Sequence, residues 1–138
     1  MDLTSRSLEE INEFASDTMI SHIGMEFTEI GKDFLKAKMP VDQRTKQPQG
    51  LLHGGASASM AETLGSMASQ LLIDHKHQFC VGIELNINHI KSAREGFVHG
   101  KVTSIHLGKT FHVWDIRINN DEQQLVSVAR LTVTILNK

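Results

Sequence analysis

The chain has 138 residues, with 14 Lys and Arg against 16 Asp and Glu and a formal charge of -2. That balance lacks the basic excess that phosphate-backbone contacts demand, and no basic run interleaves with aromatics, which excludes a nucleic-acid binder. Hydrophobic residues make up 40%, enough for one folded domain over 1–138, and no apolar run approaches the roughly twenty residues that span a bilayer, so a cytoplasmic protein away from membranes is expected.

Leu8, Ile11, Phe14, Ala15 and Thr18 recur at three- and four-residue steps, which predicts an amphipathic helix over Ser7–Ser21 capped by Ser7 with Glu10 three positions on. Gly24–Ile30 and Phe34–Met39 predict a hairpin around Gly31, Lys32 and Asp33, with Pro40 closing its second strand. From Gly54 to Ile73 there is no proline, and Met60, Leu64, Met67, Ala68 and Leu71 repeat at helical spacing, which predicts a long central helix. The period then changes: Val81, Ile83, Leu85 and Ile87 alternate with small or polar residues, as in a strand. Three further strands follow at Phe97–His106, Thr110–Asn119 and Gln124–Leu136, joined by Gly108 and by the polar turn Asn119, Asn120 and Asp121. One long apolar helix among five or six strands predicts α+β, an antiparallel β-sheet wrapped around the helix. Cys80 stands alone in a strand-like run and is expected to be core filler. His75 and His77 lack a third ligand nearby, so they are expected to be solvated and no metal site is predicted.

Between Gln47 and Ile73 the one formal charge besides His53 is Glu62, where an average stretch of that length carries about six or seven charges. The segment therefore reads as buried, and a buried carboxylate is costly unless it is paired or used. At about 100° per residue, Gly55, Ala58, Ser59, Glu62, Ser66 and Ser69 share the face opposite the Met and Leu stripe. A face this small and uncharged admits a backbone or a ligand at close range. Just before the helix stand Gln47, Gly50, His53, Gly54 and Gly55, whose glycines can expose N–H groups beside the positive end of the helix dipole, a seat for an oxyanion or a phosphate. No dinucleotide or P-loop motif is present. Gly55 and Glu62 lie about 10 Å apart by helical rise. On the residues alone, Glu62 in a structural hydrogen bond and His53 as a helix-entry residue remain open readings.

The segment TKQPQGLLHGGASASMAETLGSMAS resembles the active-site segment of hotdog-fold acyl-CoA thioesterases, in the branch that includes hydroxybenzoyl-CoA thioesterases. NINHIKSAREG and HLGKTFHVW are similar to the CoA-contacting strands of that family. The likeness extends over nearly the whole chain to bacterial 1,4-dihydroxy-2-naphthoyl-CoA hydrolases, and so to menaquinone biosynthesis, and to the proofreading thioesterase of enterobactin synthesis. What the resemblance implies is a hotdog fold and thioester hydrolysis, with Glu62 as nucleophile or general base and the Gly55 N–H polarising the thioester carbonyl. By the same likeness Gln47 and His53 orient that carbonyl and Ser66 helps hold water. Gly82, His89, Ile90, Lys91 and Ser92, together with His106, Leu107, Gly108, Lys109, Thr110 and Phe111, are then expected to bind CoA. Two departures bear on acyl choice and CoA affinity: Gln49 stands where an aromatic often follows the proline, and Lys91 replaces a frequent arginine, losing the bidentate fork.

The resemblance also implies an aromatic acyl-CoA substrate, with an acyl carrier protein as a further carrier, and no cofactor, since CoA belongs to the substrate. It implies a homotetramer, a dimer of dimers whose sheets join, with active sites at subunit interfaces. Two alternatives stand beside hydrolysis: a noncatalytic acyl-CoA or acyl-carrier binding module, and an acyl-CoA hydratase or dehydratase, which needs a His and a carboxylate acting together and for which no Asp-x5-His segment is apparent.

Overall fold

A computed structural model describes all of residues 1–138. Its first helix, α1, spans Leu8–Phe14 and opens on the expected cap: the Glu10 N–H donates to the Ser7 hydroxyl at 3.2 Å, and the Ser7 N–H donates to the Glu10 carboxylate at 2.7 Å. The predicted continuation to Ser21 is broken. Asp17 takes a left-handed φ of 55°, and a separate turn, α2, runs over Met19–His22. Thr18 is the local cause, because its hydroxyl donates to the Ala15 carbonyl at 2.6 Å and accepts from the Ile20 N–H at 3.2 Å, replacing ladder bonds that a continuous helix would use.

Strands β1 (Glu26–Ile30) and β2 (Phe34–Pro40) form the expected antiparallel hairpin. The Asn12 side chain ties α1 to this edge, donating to the Phe27 carbonyl and accepting from the Phe27 N–H, both at 2.9 Å. After α3 (Gly54–Gln70) the chain lays down β3 (Gln78–His89), β4 (Phe97–Leu107), β5 (Phe111–Asn120) and β6 (Leu125–Asn137). The six strands form one sheet in the order β1-β2-β4-β5-β6-β3, every neighbouring pair antiparallel. The sheet therefore has two open edges, β1 and β3. No helix is long and apolar enough to cross a membrane.

Helix α3 lies in the concave face of this sheet and buries Met60, Ala61, Leu64, Gly65, Met67 and Ala68. All of these but Gly65 join Leu35, Met39, Val98, Trp114, Ile116, Ile118, Leu131 and Val133 in a core cluster of 28 buried residues. Close approach is needed at Gly65, where a Cβ would lie 2.5 Å from the Leu131 Cδ2. Cys80 is buried, its thiol pushed up to about 11 by desolvation, which makes it the inert core residue expected.

Ser69 departs from the small, ligand-facing surface assigned to it. It is fully buried, and β5 explains why: the Trp114 indole N–H donates to its hydroxyl at 2.8 Å and His112 Nδ1 sits 3.0 Å away. With the indole donating to the Ser69 oxygen, a neutral His112 can accept the Ser69 proton at Nδ1. Burial first, then the neighbouring His106, hold its pKa below the ordinary imidazole value, while a backbone contact with Gly108 works the other way. Ser69→Ala orphans the buried indole N–H and imidazole nitrogen and is expected to cost about 1–3 kcal/mol in denaturant unfolding. Ser59→Ala, which removes only a hydroxyl bonded back to the Gly55 carbonyl, is expected to stay within about 0.5 kcal/mol. Equal costs for the two would show that the Ser69 node contributes nothing.

Candidate active site

The approach to α3 is a tight turn. Gly50 has a φ of +79° and donates to the Gln47 carbonyl at 2.9 Å, while Gln47 N–H donates to Leu51 and its side-chain oxygen accepts from the Gln49 N–H. His53 N–H then donates to Thr45 and Leu52 N–H to Ala93, which pins the entry of the helix to the chain after β3. His53 is the N-cap of α3: its Nδ1 accepts from the Gly55 N–H at 2.7 Å. An accepting Nδ1 carries no proton, so the ring is neutral with its hydrogen on Nε2. The Gly55 amide is thus taken up inside the chain rather than free. Gly54 N–H has no partner in the chain and is the unspent donor at the head of the helix, as expected of a first-turn amide. The His-Gly-Gly run carries that signal, with Gly54 among the glycines expected to expose an N–H, while the resemblance implies the role for Gly55.

Gln47 and Gly54 share a cleft of about 270 Å³ with His89, Ile90, Lys91 and Ser92, floored by Leu51, Leu52 and Val126. His89 Nδ1 lies 3.2 Å from the Ser127 hydroxyl, and its ring lies against Gly54, where a Cβ would come within 2.8 Å of Nε2. The structure therefore gathers one of the two stretches expected to hold CoA around the amide end of α3.

Glu62 does not open into that cleft. Its carboxylate lies over Gly82 of β3, where any Cβ would collide with it. Gly82, expected from the resemblance to touch CoA, is also where the acid is seated. Ser66 reaches Glu62 Oε1 with a long 3.4 Å hydrogen bond, and no cation pairs with it. Burial raises the Glu62 pKa above the usual 4.5, and the Ser66 bond lowers it by less. Ser66 is the hydrogen-bond partner of this carboxylate, and no histidine bonds it.

The second expected stretch, the turn between β4 and β5, stacks His106 on Phe111 with ring centroids 4.9 Å apart, and Gly108 N–H donates to the Phe111 carbonyl at 2.9 Å. Its position follows from the register. Phe111 pairs with Thr134, and Gly82 with Val133, whereas His89 pairs with Ser127. Seven residues of β6 between Ser127 and Thr134 span about 23 Å. Within the chain, then, Glu62, Gly82 and the Leu107–Thr110 turn gather toward one end of β6, and Gln47, Gly54 and His89–Ser92 toward the other.

Residues 49–127 match the family model described as Thioesterase superfamily. The chain is 46% identical to the 1,4-dihydroxy-2-naphthoyl-CoA hydrolase of Escherichia coli, over 94% of this chain and 95% of that one. A crystal structure of a mutant thioesterase from Pseudomonas aeruginosa, carrying a glutamine-to-alanine change, superposes with a TM-score of 0.95 at 44% identity, covering 96% of each chain. A glutamine-to-alanine mutant of a Staphylococcus aureus thioesterase superposes with a TM-score of 0.82 at 42% identity, over 85% of this chain and 97% of that one. A second mutant of that protein replaces a glutamate, as far beyond its glutamine as Glu62 is beyond Gln47. The helix cradled in its antiparallel sheet and these matches agree: the chain belongs to the thioesterase superfamily, as a hotdog-fold thioester hydrolase.

Proposed function

We propose that the chain hydrolyses an aromatic acyl-CoA, of hydroxybenzoyl or 1,4-dihydroxy-2-naphthoyl type, at a site built from two protomers. One observation carries the reading: a carboxylate without a counter-ion at one end of β6, and an amide-lined cleft holding Gln47 and His89–Ser92 at the other. Thioester hydrolysis needs both, an acid to attack or to activate water and donors preplaced for the oxyanion.

Pairing of β3 with β3 of a second copy, antiparallel about a two-fold axis, would bring the Gly82 end of one strand to the His89 end of the other. The open edge is suited to it, with Val81 43% and Ile83 61% exposed. The acyl carbonyl then lies at the head of one α3, its oxygen toward the unspent Gly54 amide and positioned by Gln47 and His53, whose Nδ1 holds the Gly55 N–H. The partner's carboxylate completes the site. Either Glu62 bonds to the carbonyl carbon and its acyl anhydride is then cut by water, or Glu62 takes a proton from water whose oxygen makes that bond. In both routes the C–S bond breaks, CoA leaves as thiolate and is protonated, and Ser66 holds the acid. Lys91 and Lys109 supply charge for the nucleotide phosphates. No resident cofactor is needed. Two such dimers make the proposed tetramer, and a carrier-protein thioester could present the same pantetheine arm.

The separation shared by Gln47 and Glu62 with the residues replaced in the Staphylococcus aureus thioesterase supports pairing these two in one reaction. The 1,4-dihydroxy-2-naphthoyl-CoA hydrolase supports the choice of acyl group.

Glu62→Gln is expected to lower kcat by on the order of a thousandfold, about 4 kcal/mol. Because folding raises this pKa, ionisation costs stability as pH rises from the unfolded value through the folded one, and Gln removes that cost. The unfolding midpoint of the variant at neutral pH is therefore expected to stay at or above that of the unmodified chain. Near-normal turnover would end the assignment.

The acid works ionised, so kcat/KM is expected to fall toward low pH with a midpoint above 4.5, and Ser66→Ala, by removing the bond that lowers the pKa, is expected to move that midpoint higher. A midpoint at the ordinary glutamate value, unmoved in the variant, contradicts this.

Ile83→Lys places a charge on the open β3 edge and is expected to yield protomers in analytical ultracentrifugation with thiol release lost. Active protomers at assay concentration would refute the shared site.

A further inference from the structure

The outer flank of α3 beside Glu62 is bordered by the two short N-terminal helices. Two hollows meet there and share Ile20, Glu62 and Thr63; one extends to Phe14, Met67 and Gln70, the other to Met19 and Ile23. Their floor is less polar than its sequence suggests. The Ser59 hydroxyl donates back to the Gly55 carbonyl at 2.9 Å and the Thr63 hydroxyl to Ser59 at 2.7 Å. What these residues present to the groove is their carbon. Glu62 is the one charged residue lining the two hollows, with the Arg6 guanidinium 6.0 Å from the Phe14 ring centroid at their margin, and from Glu62 to Gln70 the groove runs about 12 Å along the helix.

Phe14 is 62% and Met19 61% exposed. Large apolar side chains gathered this way beside an unpaired carboxylate mark a place where an apolar group is received. A short acyl group attached at Glu62 would leave most of that length empty, whereas a ring system would lie along it. The wall also lies outside residues 49–127, the part matched to the family as a whole. Residues that set which acyl group is accepted belong in such a segment, since the shared chemistry does not constrain it.

We propose that Phe14 and Met19, on the edges of α1 and α2, form the wall that selects a bulky, ring-bearing acyl group over a short one. The inference rests on the hydrolase reading with Glu62 as the reacting acid, and deepens it by naming the residues that sort substrates. Phe14 would lie against the ring face and Met19 would close the side toward Ile23.

The test measures thiol release by the full chain, unmodified and as Phe14→Ala, Met19→Ala and the double variant, with 4-hydroxybenzoyl-CoA, 1,4-dihydroxy-2-naphthoyl-CoA and acetyl-CoA. Inhibition by free CoA is measured alongside. Both side chains are largely exposed, so the variants are expected to fold. Expected is a drop in kcat/KM for the aromatic substrates on the order of tenfold per variant. Inhibition by CoA and turnover of acetyl-CoA should stay near their unmodified values, so that selectivity collapses. Unchanged aromatic kcat/KM in the double variant overturns the wall, as does an equal loss for all three substrates. A change in association state without a change in selectivity would make the patch a subunit contact and also overturns it. No thiol release from any substrate by the unmodified chain would overturn the hydrolase reading itself, a result distinct from these.

Discussion

Much of this molecule follows from how closely α3 can lie on its sheet. At Gly65 the helix offers no side chain to Leu131, and at Gly82 the strand offers none to Glu62, so helix and strand approach to backbone range on both sides of the same turn of α3. Alanine at either place would push them apart or displace the acid. The close approach lets a carboxylate lie across a strand at the sheet margin, shielded by protein on one side and apolar side chains on the other.

That placement carries a cost the fold accepts. A carboxylate withdrawn from water without a cation is disfavoured in its charged form, and Glu62 has only the long Ser66 bond to set against it. A lysine or arginine beside it would stabilise the folded chain but would also quench the acid as base or nucleophile. Strain at working groups of this kind is commonly offset elsewhere. Here the offset lies in the core, where Trp114, Leu131, Met60 and their neighbours are fully buried and the Ser69 node satisfies the polar groups that the sheet encloses.

Periodicity made most of the scaffold legible. The long helix and the late strands announced themselves because their apolar residues repeat with one clear period over ten or more positions. The break after Phe14 was invisible to that reasoning: it depends on Thr18 competing for backbone bonds and on one left-handed residue, neither of which disturbs the spacing of Leu8, Ile11 and Phe14. Ser69 was misread because an angle on a helical wheel does not say how far the sheet curls around the helix end. The inward step of His112 and Trp114 along β5 held the clue, since alternate strand residues share a face.

The candidate site was legible in its parts and not in its assembly. Spacing along α3 set Gly55 and Glu62 on one face at about 10 Å, which suggests one substrate lying between them in one chain. Yet Glu62 lies over Gly82 of β3 while the amide end lies against His89, and those two strand positions pair with Val133 and Ser127, about 20 Å apart along β6. Helical distance is a property of one element, whereas access depends on which strand stands in the way. The same register makes β3 both the seat of the acid and the open edge of the sheet. A second copy added to that edge would cover the apolar residues there and supply the missing half of the chemistry in one step, coupling assembly to activity without any further device.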